Sequence, residues 1–399
     1  MKISLTQPHA RDQRQNRTVF AILLLTMGLQ CQTTLSRKEA LHQIDAEWQA
    51  LITDLSNKEN VQLRILAPDQ GIDAIYTDGA TAPQPFHSAS TGKLFTAVLI
   101  GQLVDEGRLQ WHTALDQVLD KAVLNDLFVF EGFDYRHQVT VEQLLSHTAG
   151  LADYFGDPPD QGGPSIADQM LAKPDRLWTP SELLAYHRQN FQLRSPPGKE
   201  FHYSDTGFVL LGLVIEKITG QAFHEALRDK IFAPLQMRVS YMPGRSLPLS
   251  GRPGTLGPTW YQGREISTYR SITVDWAGGG VISTLGDMMR FNQALFSGRL
   301  IRKSTLQYLC QFEHSFQTGI RYGRGMMQYR FGEFFPLLYG YPEWRGHLGI
   351  LATHVLYDPE REIYIVMSFG SDEHLEASFR FLIDLSGILM RIETPGQKK

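Results

Sequence analysis

The chain has 399 residues, 42% hydrophobic and 20% charged, a balance that supports a large buried core and excludes an intrinsically disordered chain. A formal net charge of -4, with no long basic run outside the N-terminus, leaves no footprint for nucleic acid. Two cysteines, no H-E-x-x-H and no clustered ligand spacing argue against a metal centre, and nothing in the sequence calls for a cofactor.

Arg11, Arg14 and Arg17 precede an apolar run from Val19 to Leu29, long enough for an export signal but short of the ~20 residues a membrane-spanning helix needs. Cys31 closes the run as the cysteine of a bacterial lipoprotein does, although Gly28-Leu29-Gln30 departs from the usual box before it. Residues 1–31 are therefore expected to be a signal peptide or lipoprotein signal. The body is expected to be exported, periplasmic or envelope-attached, with any membrane attachment through the N-terminus only. Lipidation at Cys31, simple cleavage and a retained anchor all stay open.

Beyond the signal, Leu41, Ile44, Trp48, Leu51 and Ile52 have the spacing of a surface helix over Leu41 to Leu55. Val61 to Leu66 and Ile72 to Tyr76 alternate as strands around a turn at Pro68 to Gly71, which predicts a hairpin. Next comes His87-Ser88-Ala89-Ser90-Thr91-Gly92-Lys93, at the start of a helix expected over Thr91 to Asp105 that is apolar almost all round. Residues three apart on a helix are neighbours with Cβ atoms roughly 5 to 6 Å apart, so Lys93 can reach the Ser90 hydroxyl. A serine hydroxyl needs such a base, and a lysine serves only when its pKa is depressed; the apolar helix is expected to depress it by desolvation. The Ser90 N–H would also lie among the unpaired amides of a helix start, where an oxyanion can be held. S-x-x-K is a loose pattern, but Ser90 is the only serine here with lysine at that spacing.

Ala114 to Val118 and Val139 to Leu145 read as short helices, the second running into Ser146-His147-Thr148-Ala149-Gly150-Leu151. His147 is expected to serve structurally, at the terminal carbonyls of that helix. The Pro-, Gly- and Asp-rich stretch from Asp153 to Pro174 is a lid, a binding loop or a surface excursion, with no chemistry assigned. Thr179-Pro180-Ser181-Glu182 is a capping box for a helix to about Gln189. After the turn at Pro196-Pro197-Gly198, Tyr203-Ser204-Asp205 leads into a second apolar helix closed by Gly220, then a helix over Ala222 to Lys230. A glycine-rich segment, Trp276 to Thr284, precedes a helix over Leu285 to Phe296, and Cys310 is expected to be a small core residue. Strands follow at Gly325 to Phe331, Gly346 to Ile350, Thr353 to Tyr357 and Glu362 to Phe369, with a turn at Tyr357 to Arg361 and a closing helix over Phe379 to Arg391. Strands at both ends with helices between predict an α/β fold whose sheet is built from both termini.

Ser90-Thr91-Gly92-Lys93, Leu144 to Leu151, Pro197-Gly198 with Tyr203-Ser204-Asp205, Gly278-Gly279 with Ser283-Thr284, and His347-Leu348-Gly349 occur in an informative order. Together they resemble the serine β-lactamase and penicillin-binding protein superfamily, closest to its class C β-lactamase, DD-peptidase and esterase branch, over roughly residues 40 to 390. The resemblance implies a β-lactamase-like α/β fold: an antiparallel sheet built from both chain ends, flanked by helices, with a mostly helical insert. It implies one serine hydrolase domain over 36–395, its α/β part at about 40–87 and 320–395 and its helical part at about 88–280.

By the same resemblance Ser90 is the acylated nucleophile, Lys93 a general base or proton relay, and Tyr203 the phenol that passes the proton to the leaving group. His347 belongs to the strand triad as a further catalytic residue, expected to shape activity between pH 5 and 8. The backbone N–H groups of Ser90 and Ile350 form the oxyanion hole, and Asp205, Leu348 and Gly349 contact substrate. Two positions depart from the family pattern: Asp205 stands where Asn is usual, and His347 where lactamases keep a permanent cation. Both departures favour an ester, amide or D-amino-acid peptide over efficient β-lactam hydrolysis. A slowly acylated binding or sensor protein and an envelope scaffold remain as alternatives; the partner expected is a small-molecule or peptide substrate.

Overall fold

The computed structural model describes residues 34–78 and 82–393, so the expected export segment at 1–31 lies outside the described residues. Helix α1 (Arg37–Asp54) opens with a capping box in which Ser36 and Glu39 satisfy each other's backbone N–H groups. It buries Ile44, Trp48 and Ile52, and the Trp48 indole donates to Thr77 O at 2.8 Å. The hairpin of β1 (Gln62–Ala67) and β2 (Ile72–Thr77) turns through Gly71, whose φ of 65° suits glycine.

Helix α2 (Lys93–Asp105) has no polar face, and Leu94, Phe95, Val98, Leu99, Ile100 and Leu103 are all buried. Their transfer from water stabilises the fold by on the order of 10 kcal/mol. The helix expected from Thr91 instead begins as a 3-10 turn over Ala89–Gly92, because Ala89 enters at φ 46° and Gly92 lies flat against Gly279. A Cβ on Gly92 would stand 2.7 Å from the Gly279 Cα. The helical layer continues with α3 (Val141–Leu145), α4 (Pro180–Asn190), α5 (Asp205–Thr219) and α6 (Leu285–Phe296). Capping boxes at Thr140 and Thr179 start α3 and α4, and Gly220 ends α5 at φ 72°. Two expected helices are shorter or distorted. Leu115–Gln117 is a single 3-10 turn pulled aside by the Leu115 N–H bonding Val139 O, and Phe223–Leu227 widens into a π turn over Arg228–Phe232.

The C-terminal part supplies β3 (His314–Gln317), β4 (Ile320–Tyr322), β5 (Met327–Tyr329), β6 (Trp344–Gly349), β7 (Thr353–Asp358) and β8 (Ile363–Ser368), then α7 (Leu375–Leu389). The eight strands form one sheet in the order β2-β1-β8-β7-β6-β5-β4-β3, each neighbour antiparallel. The sheet thus joins both chain ends, with β1 beside β8 (Ile65 opposite Ile365). Successive β8 residues enter opposite cores, as the pleat requires. Ile363, Ile365 and Met367 pack with α1 and α7, while Tyr364 and Val366 face α6 and the helical layer. The short β3 and β4 lay outside the sequence expectation, being few in residues and offset by a register shift at Ile320. Cys310 is half-buried, its Sγ 3.5 Å from Met326 Sδ. Among the described residues no single helix is long and apolar enough to cross a membrane.

Candidate active site

Ser90 stands where the helical layer meets the end of β6, and the turn that carries it is pinned from both sides. Ser88 Oγ donates to Gly279 O at 2.6 Å, Thr353 Oγ1 donates to Ser88 O at 3.0 Å, and the Ala89 N–H donates to His87 Nδ1 at 3.0 Å. These bonds hold Ala89 in its strained left-handed conformation and so fix where Ser90 points. Gly349 lets β6 close against this turn. A Cβ there would meet Thr353 Oγ1, come 2.8 Å from Ala89 Cβ and 2.9 Å from Ser88 O. Gly349→Ala is expected to destabilise the fold by about 1–3 kcal/mol and to slow acylation about tenfold. Denaturant midpoints and probe-labelling rates read the two effects; wild-type values for both would show that β6 does not set the position of Ser90.

Lys93 is fully buried, and its ammonium donates to Ser90 Oγ at 3.1 Å, to Gly278 O at 2.8 Å and to the Asp205 carboxylate. The expected desolvation is real and pushes the lysine pKa down. The carboxylates of Asp205 and Asp275 outweigh it, and the amine is held above its ordinary range. Burial alone was therefore the wrong guide to the charge of Lys93: at neutral pH it is an ammonium paired to Asp205. The pairing also answers the departure at position 205, whose side chain is spent on Lys93.

Tyr203 completes the group around the serine. Its phenol faces Ser90, and Lys93 Nζ lies 5.0 Å from its ring centroid. Burial and the Asp205 carboxylate hold the phenol pKa well above the usual value, so it stays protonated. His147 packs against the Tyr203 ring, the centroids 4.2 Å apart and the planes tilted by 34°, and its Nδ1 accepts the Ser204 N–H at 3.0 Å. Its place is thus beside Tyr203, rather than at the terminal carbonyls of α3. Burial, with the nearby Lys93 charge, keeps it neutral.

His347 departs from its expected role. It is wholly buried in β6, absent from the cleft wall, with Nε2 3.3 Å from the Tyr322 hydroxyl and Nδ1 2.7 Å from Leu348 O. Burial, reinforced by Lys93, pushes its pKa down to about 3, so it does not titrate between pH 5 and 8. Tyr322 therefore separates His347 from Tyr203, with the two phenol rings 5.9 Å apart and edge-on. Tyr322 escaped the sequence reading because its strand is only three residues long.

A cleft opens over Ser90. Tyr203, Asp205, Leu348 and Ile350 line it, which brings the Ile350 turn to the same wall as Ser90, where paired backbone amides can hold an oxyanion. Most of the wall is apolar, including Phe155, Met170, Leu256, Tyr261 and Ile272. The stretch from Asp153 to Pro174 thus forms part of the wall, although no chemistry was assigned to it. Asp153 accepts the Asp205 N–H at 3.0 Å and the Phe155 N–H at 3.1 Å, while burial and the Asp205 carboxylate push its pKa up.

A buried lysine and a phenol on one serine, where an antiparallel sheet meets a helical layer, define the serine active-site fold shared by β-lactamases and penicillin-binding proteins. The chain belongs to the Beta-lactamase family, whose model matches residues 74–380. Penicillin-binding protein 4 of Amycolatopsis lactamdurans is 30% identical over 220 residues, covering 53% of this chain and 50% of that protein. A D-stereospecific amidohydrolase from Streptomyces sp. superposes with a TM-score of 0.67 at 26% identity, over 82% of this chain and 94% of that one. The D-amino acid amidase of Ochrobactrum anthropi SV3 has a TM-score of 0.69 at 20% identity, over 88% and 99%, and shows the shared fold. The chain spans about half the length of the curated relatives it matches first.

Proposed function

We propose that this protein is a serine hydrolase that cleaves an amide, ester or D-amino-acid peptide through a covalent acyl-enzyme. The observation that carries the reading is the convergence of Lys93 Nζ, 3.1 Å from Ser90 Oγ, and the Tyr203 phenol on Ser90 at the floor of an open, largely apolar cleft. In this reading the substrate carbonyl oxygen lies between the N–H groups of Ser90 and Ile350. Ser90 Oγ attacks the carbonyl carbon and its proton passes to Lys93, which must first be neutral. Tyr203, protonated at rest, donates to the departing amine or alcohol and regains a proton from Lys93; water then adds to the acyl carbon, one of its protons returns to Ser90 Oγ, and the acid leaves. Family membership and the amidohydrolase and amidase among the structural neighbours support an amide or ester donor.

A second reading is favoured by the Lys93–Asp205 ion pair, which opposes the neutral amine: a penicillin-binding or sensor-type protein that is acylated and turns over slowly. Intact-mass measurement with p-nitrophenyl esters, penicillins and D-Ala-D-Ala peptides separates the two. A transient acyl mass with continuous product release is expected for the hydrolase, and a persistent stoichiometric adduct for the slow binder. No mass gain with any donor overturns both. Export through residues 1–31 belongs to the same proposal, and cell fractionation that finds the mature chain in the cytoplasm refutes it.

A further inference from the structure

Asp275 is a charged group of the cleft wall to which the hydrolase reading gives no contact with substrate. It ends the 3-10 turn Arg270–Asp275, is half-buried, and its carboxylate has no hydrogen-bond partner among the described residues. Lys93 cannot supply one. An ammonium has three N–H donors, and Ser90 Oγ, Asp205 and Gly278 O already take them. The adjoining backbone carries no side chain toward it: a Cβ on Gly279 would stand 2.7 Å from Asp275 Oδ2, and one on Gly278 3.2 Å from Oδ1.

No arginine or lysine is among the residues that line the cleft. His87 lines it too, is 7% exposed, and is kept neutral by burial, which pushes its pKa down to about 4. Since His87 Nδ1 accepts the Ala89 N–H, its Nε2 carries the proton, and that donor has no partner among the described residues. Among the described residues Lys93 is thus the one cation beside two carboxylates, Asp205 and Asp275, which leaves this group an excess negative charge, and His87 adds a neutral donor without a partner. The acidic side chains do not form a group able to hold a metal ion among the described residues. Two carboxylates sharing one ammonium beside an apolar wall are costly, and a ligand carboxylate would add like charge; a ligand cation reduces the cost. Burial, together with the Asp205 charge, pushes the Asp275 pKa up to about 7 against the pull of Lys93.

We infer that Asp275 receives a protonated amine, so that the preferred acyl donor is an amino-acid amide or ester with a free amine and an apolar side chain. The identity of this ligand as an acyl donor rests on the hydrolase reading above. N-acylated and carboxylate-terminated donors, penicillins among them, lack the matching charge.

The test is calorimetric binding of 2-phenylethylamine and its uncharged counterpart 2-phenylethanol to the full chain at neutral pH. The amine is expected to bind about tenfold or more tightly than the alcohol, as a charge-assisted hydrogen bond provides. In Asp275→Asn the two affinities should converge to within about twofold, and Asp275→Glu should restore the preference. Circular dichroism checks each variant, and Asp275→Ser is read should Asp275→Asn not fold. Equal binding of the two probes by wild type, no amine binding, or an undiminished preference in the folded variant overturns the assignment. No acylation is measured, so a failure of Ser90 chemistry sinks the hydrolase reading and leaves this measurement standing.

Discussion

Ser90→Ala is expected to abolish covalent labelling by a fluorophosphonate and to lower kcat/KM for any turned-over ester or amide by at least about 10³-fold. The variant removes the attacking oxygen and little else. Lys93 keeps Asp205 and Gly278 O as partners, and the turn keeps the bonds through Ser88, Ala89 and Thr353. Unfolding midpoints should therefore stay close to wild type, so that lost labelling reports chemistry rather than misfolding. Labelling of the variant at the wild-type rate would assign the nucleophile elsewhere and dismiss the Ser90 mechanism. Residual slow hydrolysis without a covalent adduct is compatible with it, since the oxyanion site and the cleft would survive.

The features legible in the sequence were those encoded locally. The Ser90-to-Lys93 spacing survives a 3-10 turn as well as an α-helix, because both geometries set residues three apart side by side. The capping box at Thr179 and the helix over Leu285–Phe296 were read nearly to the residue, since cap and period agree there. The sheet built from both chain ends was legible because hydrophobic strands lie at both ends of the chain, with helices between.

The electrostatics were not legible. Lys93 sits in an apolar helix, so desolvation was the visible influence; it is outweighed by Asp205, 112 residues away in sequence, acting together with Asp275. His347 failed for a related reason: a strand position does not reveal which face is cleft and which is core, and this ring faces Tyr322. The ring contact of His147 with Tyr203 likewise depends on where two loops meet. Asp153 and Asp275 gave no sequence signal, since a lone aspartate in a loop is usually solvated, and only the closed cleft makes each of them costly.

The Lys93–Asp205 pair makes substitution at position 205 the sharpest test of how the serine is activated. Asp205→Ala leaves the buried ammonium without its main counter-charge, and such a loss typically destabilises a fold by about 3–5 kcal/mol. Asp205→Asn is a different experiment. The amide can still accept from Lys93 through its oxygen, so the fold should be retained, but the largest Coulombic pull that raises the amine pKa is gone and that of Asp275 is what remains. Burial, until then outweighed, acts to lower it. If a neutral Lys93 takes the Ser90 proton, activity rises with pH as the ammonium is lost. The acid limb of kcat/KM should then move down by about one pH unit or more in Asp205→Asn, about a tenfold gain at a fixed pH on that limb. His347, held neutral throughout this window, cannot account for such a shift. An unmoved limb in a folded Asp205→Asn protein would mean that Lys93 acts as a fixed positive charge, leaving the proton of Ser90 to another acceptor.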